Sequence, residues 1–175
     1  MVRRPTLPMD LARMQNDPIA IRSANPHDAS ALVAMTRALA AYHGDAGMAS
    51  VTAEDYRRDG FGERPLIWCW IAETAAGEPV GFVQLCQGYA AWRGSAILMV
   101  SNLYVDERLR GGGLGRRLLA VAARHTLEQG LPRLELHVAG RNPARDFYER
   151  VGFRILADLR CRIEGDELHR LAAHA

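Results

Sequence analysis

A glycine-rich stretch is the feature that most constrains what this chain of 175 residues can fold into. Residues 110–115 (RGGGLG) follow an apolar run at 97–105 and open a segment, 114–129, with apolar residues at helical spacing. Glycine lets backbone N–H groups approach a ligand because it has no Cβ, and the first amides of a helix have no partner within the helix. The pattern therefore predicts a strand, a turn and a helix N-terminus that together bind an anion such as phosphate.

Two common nucleotide-binding motifs do not match this turn. A P-loop requires Lys and then Ser or Thr after its last glycine, whereas Gly115 is followed by Arg116 and Arg117. A dinucleotide-binding fingerprint has the spacing Gly-x-Gly-x-x-Gly near the first strand of the fold. Here the glycines at 111, 113 and 115 have a different spacing and lie beyond the middle of the chain. A glycine-rich turn with no ligand is the alternative that the stretch alone leaves open.

Length, charge and cysteine content exclude several classes of protein. A formal net charge of +2 gives no support for a nucleic-acid partner, and no run approaches the roughly 20 apolar residues of a membrane span. The three cysteines, Cys69, Cys86 and Cys161, are odd in number and lie in apolar contexts, which favours buried thiols of a cytoplasmic protein over disulfides or a metal site. We expect a flexible N-terminal lead-in over residues 1–17 and a single domain over 18–175.

The order of the predicted elements is β α α β β β α β α β β. This order predicts one mixed sheet with helices on both faces. The predicted strands cover 19–22, 66–73, 79–86, 97–105, 133–138 and 167–172, and residues 153–155 and 158–162 are predicted to be extended before the last strand. The predicted helices cover 25–44, 52–60, 114–129 and 143–150.

Two segments, taken together, resemble the GNAT family of acyl-CoA-dependent N-acetyltransferases. Arg110, Gly113 and Gly115 fill the family pattern Arg/Gln-x-x-Gly-x-Gly/Ala after a strand. Residues 142–153 (NPARDFYERVGF) are similar to the family segment Asn-x-x-Ala-x-x-Phe-Tyr-x-x-x-Gly-Phe, although one residue is missing between Asn142 and Tyr148. The segments have the family's order and separation, and the resemblance extends over residues 18–173.

The resemblance implies a fold, a cofactor and a set of cofactor contacts. The expected fold is of the α/β class, with a central, mostly antiparallel sheet of six to seven strands and four flanking helices. The implied cofactor is acetyl-CoA, with a bulge in the central strand that turns a backbone N–H toward the thioester oxygen near residues 103–105. The implied cofactor contacts are Leu103, Tyr104, Val105, Arg110, Gly111, Gly112, Gly113, Leu114, Gly115, Arg116 and Asn142.

A narrower resemblance concerns the diamine (spermidine/spermine and thialysine) N-acetyltransferase branch, which residues 59–65 (DGFGERP) match best. The branch implies substrate contacts at Tyr42 and His43. It also carries a Glu-Asp pair in the central strand, where this chain has Ser101 and Asn102. Neither residue is a base near neutral pH or supplies negative charge to a polycation. Ser101 and Asn102 are therefore predicted to contact a smaller or less cationic amine.

Acetyl transfer to an amine requires an acid and a route for the amine proton. The resemblance places Tyr148 beside the cofactor, and its hydroxyl is the predicted proton donor for a departing thiolate of pKa about 8.5. The base is open among three candidates: His137 on the fifth strand, His43, and a water ordered by Ser101 and Asn102. No metal is expected to take part.

The resulting hypothesis is an N-acetyltransferase that passes acetyl directly from acetyl-CoA to the primary amine of a small molecule. A non-catalytic acyl-CoA-binding regulatory module is an alternative, because the acidic pair is missing. A protein N-terminal or lysine acetyltransferase is a further alternative. The resemblance also implies a homodimer, and we expect no nucleic-acid or membrane partner.

Overall fold

The computed structural model describes residues 18–140, 142–156, 163 and 165–172. The chain divides into two compact units, Met1–His137 and Val138–Ala175. Residues 1–17 and Cys161 lie outside the described residues, as does the predicted extended segment at 158–162. The expectation of a flexible lead-in and of a single domain over 18–175 therefore stays a prediction.

The first unit contains a sheet of five strands and three α-helices among its described residues. The strands are β1 (Ala20–Ser23), β2 (Ile67–Glu73), β3 (Pro79–Ala90), β4 (Ser95–Val105) and β5 (Leu134–Leu136), and the helices are α1 (Ala29–Tyr42), α2 (Ala53–Gly60) and α3 (Leu114–Glu128). Each of these elements was predicted from the sequence, with ends that differ by a few residues. The largest differences are at β3, which continues four residues beyond the predicted end at Cys86, and at α1, which begins four residues after the predicted start at Asn25.

The strands lie in the order β1-β2-β3-β4-β5. The first four are antiparallel to their neighbours, and β5 runs parallel to β4. β5 pairs only with Leu98–Val100 of β4. The later half of β4 therefore has β3 on one side and no strand partner on the other side among the described residues.

Helices cover both faces of the sheet, as the order of elements predicted. Ile71 and Phe82 pack with buried residues of α1 and α2, including Leu32 and Tyr56. Side chains of neighbouring strand residues point to opposite faces. On the other face, a Cβ added at Gly81 would lie 3.4 Å from Leu118 of α3. Because α1 and α2 lie opposite α3, the central strands β2 and β3 are covered on both faces.

Helix α2 begins with a capping box that fixes its direction. The Thr52 hydroxyl accepts a hydrogen bond from the Asp55 amide at 3.2 Å, and the Asp55 carboxylate accepts one from the Thr52 amide at 2.9 Å. Two otherwise unpaired amides are satisfied in this way. The next residue, Tyr56, is thereby held on the inward face and is 3 % exposed.

The second unit contains two short helices, α4 (Arg145–Arg150) and α5 (Asp166–Ala172). The prediction of a strand over 167–172 is wrong, because this segment forms α5. Its apolar residues, Leu168, Leu171 and Ala172, have the three- and four-residue spacing of a helix rather than the alternation of a strand. Gly165, with φ 63°, precedes the helix, and its carbonyl accepts from the Leu168 amide at 3.1 Å.

The α/β class with a mixed, mostly antiparallel sheet is confirmed, but the predicted numbers of elements are not. The described residues form five strands instead of six to seven, because 166–172 is helical and 153–155 has no regular structure. They form five α-helices instead of four. Within the described ranges, no helix combines the length and apolar character that crossing a membrane requires.

An unpaired histidine lies where α3 packs against β2. The His125 ring is 4.8 Å from the Trp70 ring and 5.9 Å from the Trp68 ring, centroid to centroid. Its Nε2 atom is buried and has no hydrogen-bond partner among the described residues. Burial lowers the pKa of His125, and the nearby Glu128 offsets this only in part. The folded state therefore favours the neutral ring.

The lowered pKa of His125 predicts a stability loss in mild acid. The unfolded chain binds this proton near pH 6.5, so stability falls as the pH drops below that value toward the lower pKa of the folded state. His125→Leu should show a smaller loss of Tm between pH 7.5 and 5.5 than the wild type. His169→Leu, at an exposed position on α5, is the control and should behave like the wild type. Parallel pH profiles of all three proteins by thermal unfolding would contradict this role for His125.

Candidate active site

The glycine turn between β4 and α3 has the geometry of an anion site. Gly111 and Gly113 have φ of 82° and 84°, a left-handed conformation that glycine adopts without a Cβ penalty. A Cβ at either glycine would meet no atom within 4 Å. Gly113 is the N-cap of α3 and provides no side chain to cap it. The turn therefore presents bare backbone to open space.

Several amides at this end of α3 are available to a ligand. The amides of Gly111, Gly113, Leu114, Gly115 and Arg116 have no backbone partner in the described part of the chain. The Arg117 amide is the first to pair, with the Gly113 carbonyl at 3.1 Å. The positive end of the helix dipole adds to their attraction for an anion. The Gly112 amide, between them, donates to the Leu109 carbonyl at 3.4 Å. In the part of the chain that the structure describes, the turn therefore has several free amides that could bind an anion such as pyrophosphate.

The arginines around the turn have different partners. Arg108 forms ion pairs with Asp106 at 2.6 Å and Glu78 at 3.2 Å. Arg117 donates to the Ile19 carbonyl at 2.6 Å. Arg116 is exposed and has no ion pair among the described residues. Arg116 is therefore better placed to meet a phosphate than Arg108 or Arg117.

Arg110 joins the turn to two other predicted site residues. Its Nε donates to the Val105 carbonyl at 3.1 Å, and its guanidinium lies 4.4 Å from the centre of the Tyr42 ring. The Tyr42 ring makes an edge contact with His43, with 5.4 Å between centroids. The structure thus brings the end of α1 together with the end of β4 and the start of the turn.

A bulge interrupts β4 close to the point where β5 ends. Gln84 of β3 is opposite Asn102, but the next residue, Leu85, is opposite Val100, so that Ser101 is the extra residue. Such a bulge leaves the extra residue unpaired and re-aims its neighbours. The prediction of a bulge near residues 103–105 is therefore corrected to Ser101. Leu103, Tyr104 and Val105 instead pair regularly with Val83, Phe82 and Gly81.

Ser101 and Asn102 lie together on one side of the sheet because of this bulge. The Ser101 hydroxyl donates to the Gln84 carbonyl at 3.3 Å and lies near the Cys86 thiol. The Asn102 amide donates to Gln84 Oε1 at 3.3 Å. Gln84 also joins Tyr56 of α2, whose hydroxyl donates to the same oxygen at 2.9 Å. The two predicted substrate contacts are thus part of a polar network.

Three members of this network were not predicted from the sequence: Gln84, Tyr56 and Thr36. Thr36 of α1 lies 2.6 Å from the Tyr56 hydroxyl. Burial raises the pKa of Tyr56 to about 12, so this hydroxyl keeps its proton near neutral pH. A polar Gln84 in the otherwise apolar run 80–86 was a signal in the sequence that could have indicated its role.

His137 follows β5 and is exposed. No hydrogen bond or ring contact of the described residues joins it to Tyr42, Ser101 or Asn102. His43, at the C-terminal end of α1, is joined to Tyr42 and through it to Arg110. The structure thus connects His43 with predicted site residues and leaves His137 without such a connection.

Tyr148 and Asn142 belong to the second unit. The Tyr148 ring packs on Phe147 and Phe153, at 5.3 and 5.9 Å between centroids, and burial raises the pKa of its hydroxyl. The Asn142 Oδ1 accepts from the Ala144 amide at 2.8 Å, at the start of α4. Asn142 therefore has its Nδ2 group left for a ligand, and Tyr148 remains a proton donor near neutral pH.

Comparison with known proteins gives the family. Residues 65–155 match the model of the acetyltransferase (GNAT) domain. The chain is 32 % identical over 166 residues to the thialysine N-epsilon-acetyltransferase of Bos taurus, covering 88 % of this chain and 97 % of that protein. The chain belongs to the GNAT acetyltransferase family. The family and the diamine branch inferred from the sequence are both confirmed, and the protein is an N-acetyltransferase.

Two further comparisons are consistent with this GNAT assignment. The spermidine/spermine N(1)-acetyltransferase-like protein 1 of Homo sapiens is 32 % identical over 109 residues, which cover 59 % of this chain and 16 % of that protein. The integron cassette protein VCH_CASS6 of V. cholerae has a TM-score of 0.71 and 23 % identity, with 88 % of this chain and 97 % of that chain covered. The latter similarity supports the fold alone.

Proposed function

We propose that this GNAT protein transfers an acetyl group from acetyl-CoA to the primary amine of a small molecule. One observation carries the proposal. Amides of the glycine turn that are unpaired among the described residues open at the end of β4, next to the segment of β4 that no described strand pairs on the β5 side. A phosphate group on the turn would leave the rest of a long ligand free to follow the exposed edge of β4. The acyl group would then reach the bulge at Ser101.

Backbone amides, more than charged side chains, would hold acetyl-CoA. The amides of Gly111 and of residues 113–116 would bind the pyrophosphate, with Arg116 adding a charge nearby. The described structure gives residues 103–105 a free edge from which a backbone N–H could donate to the thioester carbonyl. When bound, acetyl-CoA supplies an activated acetyl group, and the chain supplies orientation and hydrogen bonds that favour attack by an amine.

The reaction also requires two proton transfers, one from the attacking amine and one to the leaving thiolate. An amine of pKa about 10.4 is mostly protonated near neutral pH, so it must lose a proton before it attacks. His43, His137 and a water held by Ser101 and Asn102 are the candidate acceptors of that proton. Tyr148 is the proposed donor to the leaving sulfur, since its raised pKa keeps its hydroxyl protonated.

The acceptor is proposed to be a small amine with fewer positive charges than a polyamine. The relatives are named for thialysine and for spermidine/spermine, which supports an amine acceptor. Ser101 and Asn102, however, are neutral and bonded to Gln84. They offer hydrogen-bond acceptors without the negative charge that would offset a second ammonium group.

Binding of acetyl-CoA is the first test of this proposal. Titration calorimetry of the pure full chain should show saturable binding in the micromolar to millimolar range that is usual for enzyme substrates. Coenzyme A should compete, because the turn is proposed to hold the pyrophosphate. Heat no larger than dilution at millimolar acetyl-CoA would contradict the proposal.

The neutral pair Ser101-Asn102 also supports a second candidate, a non-catalytic acyl-CoA-binding regulatory module. Such a module would bind acetyl-CoA without releasing thiol in the presence of amines. A protein N-terminal or lysine acetyltransferase would instead acetylate peptides, which mass spectrometry detects. Homodimerisation and a cytoplasmic location are part of the proposal, and light scattering of the full chain tests the first.

A further inference from the structure

Gln84 is the centre of a hydrogen-bond network at the bulge of β4. Its Oε1 atom accepts from the Tyr56 hydroxyl at 2.9 Å and from the Asn102 amide at 3.3 Å. Since the single Tyr56 proton is given to Gln84, the Thr36 hydroxyl, 2.6 Å away, must donate to Tyr56. The Tyr56 hydroxyl of α2 and the Asn102 amide of β4 thus donate to the same side-chain oxygen of Gln84 on β3. Thr36 of α1 joins this network through Tyr56. Both lone pairs of that oxygen are engaged.

The network fixes the orientation of the Asn102 side chain. Because Asn102 gives an N–H to Gln84, its carbonyl oxygen is turned away from Gln84. That oxygen has no partner among the described residues, and it is not one of their buried unpaired atoms. It therefore reaches solvent at the bulge, where the proposed acyl group would meet an amine.

The network contains no ionised side chain. Its hydrogen-bonding members are hydroxyls and amides, and burial raises the pKa of the neighbouring Cys86 thiol. A neutral carbonyl oxygen can accept a hydrogen bond from one ammonium or amine group. A second cationic group receives no compensating charge from this surface.

We propose that Gln84 is a positioning residue that makes the enzyme prefer a monoamine to a diamine as acceptor. It holds the Asn102 carbonyl oxygen toward the acceptor nitrogen, on a surface that carries no charge. The inference rests on the proposed acetyltransferase function and adds a residue and an acceptor class to it. Gln84 acts through Asn102 and does not itself touch the acceptor.

A matched pair of acceptors tests this role. Butylamine and 1,4-diaminobutane have the same carbon chain and differ in one amino group, so the ratio of their kcat/KM values isolates the second charge. The wild type should favour butylamine. Gln84→Glu keeps an oxygen for Tyr56 and Asn102 and adds a carboxylate, so at pH 8.5 the ratio should shift about tenfold toward the diamine. The shift should fade as the pH falls and the introduced carboxylate takes up a proton.

Gln84→Met tests the orienting role separately from the charge. It removes the acceptor for the Asn102 amide, and the KM of both amines should rise about tenfold. The ratio between the amines and the KM of acetyl-CoA should stay within about twofold of the wild-type values. A merely structural role would instead lower Tm and kcat with no selective change in the amine KM.

Gln87→Glu is the control for added charge. Gln87 is exposed on the same strand, three residues from Gln84 and therefore on the opposite face of the sheet. This variant should keep the wild-type ratio. The inference about Gln84 would be overturned by an unchanged ratio of kcat/KM values in Gln84→Glu, or by an equal shift in Gln84→Glu and Gln87→Glu. Either result would leave the proposed acetyltransferase function intact. Absence of acetyl transfer by the wild type with any amine would overturn the proposed function as well.

Discussion

Replacing Tyr148 with phenylalanine should lower kcat for acetyl transfer by about a hundredfold, with the affinity for acetyl-CoA nearly unchanged. General-acid catalysis contributes roughly 10²- to 10⁴-fold, and a thiol leaving group of pKa about 8.5 needs only modest help, which favours the lower figure. The substitution retains the ring that packs on Phe147 and Phe153. Steady-state kinetics and calorimetry on the same preparation measure the two quantities.

Tyr89→Phe is the matched control for Tyr148→Phe. Tyr89 is 67 % exposed on β3, and removing its hydroxyl should leave kcat unchanged. Because burial raises the pKa of Tyr148, the wild type should also lose no activity through ionisation of this hydroxyl below pH 10. A Tyr148→Phe protein with the wild-type kcat would remove Tyr148 from the mechanism.

Replacing Gly113 with alanine should weaken acetyl-CoA binding by roughly 10- to 100-fold. The Cβ would enter the open space above the turn, where the pyrophosphate is proposed to lie, and would displace one or two charge-assisted hydrogen bonds of about 1.5–3 kcal/mol each. Calorimetric Kd values for acetyl-CoA give the effect directly, and kcat at saturating acetyl-CoA should change much less.

Gly77→Ala is the control that separates the effect of backbone strain from the loss of ligand contacts in Gly113→Ala. Gly77 has φ 79°, close to the 84° of Gly113, and a Cβ there also meets no atom within 4 Å. It lies in the turn between β2 and β3 and is not one of the predicted cofactor contacts. Each alanine should cost about 1–2 kcal/mol of stability for its left-handed backbone, but only Gly113→Ala should change the Kd. Equal Kd values for both variants would contradict a ligand at the turn.

The parts of the fold and site that the sequence predicted depend on local interactions. The glycine turn and the start of α3 follow from the residues of the turn itself. Thr52 and Asp55 likewise start α2 through a box of four residues. Such features need no knowledge of the rest of the chain, and they were found at the predicted positions.

The parts that the sequence did not predict depend on pairing between distant segments. The bulge lies at Ser101 because β3 and β4 shift register there, and this is a property of two strands together. The bond between Gln84 and Tyr56 likewise requires α2 to lie over β3. No residue near Gln84 in the sequence specifies that partner, so a polar residue in an apolar strand was the only local sign.

One other difference arose from a weak local signal. The short segment 167–172 was predicted to be a strand, although leucines three residues apart favour a helix. The cation–π contact between Arg110 and Tyr42 had no local signal, because it joins positions 68 residues apart in sequence. It brings a residue of the glycine turn to a predicted substrate contact.

The release of coenzyme A thiol tests the central claim most directly. The full chain is incubated with acetyl-CoA and a panel of small primary amines that includes butylamine and 1,4-diaminobutane, and free thiol is measured against time. We expect release that saturates in both substrates, exceeds hydrolysis without amine and is matched by acetylated amine in equal amount. Saturable binding of acetyl-CoA with thiol release no faster than hydrolysis across the panel would contradict an acetyltransferase acting on small amines.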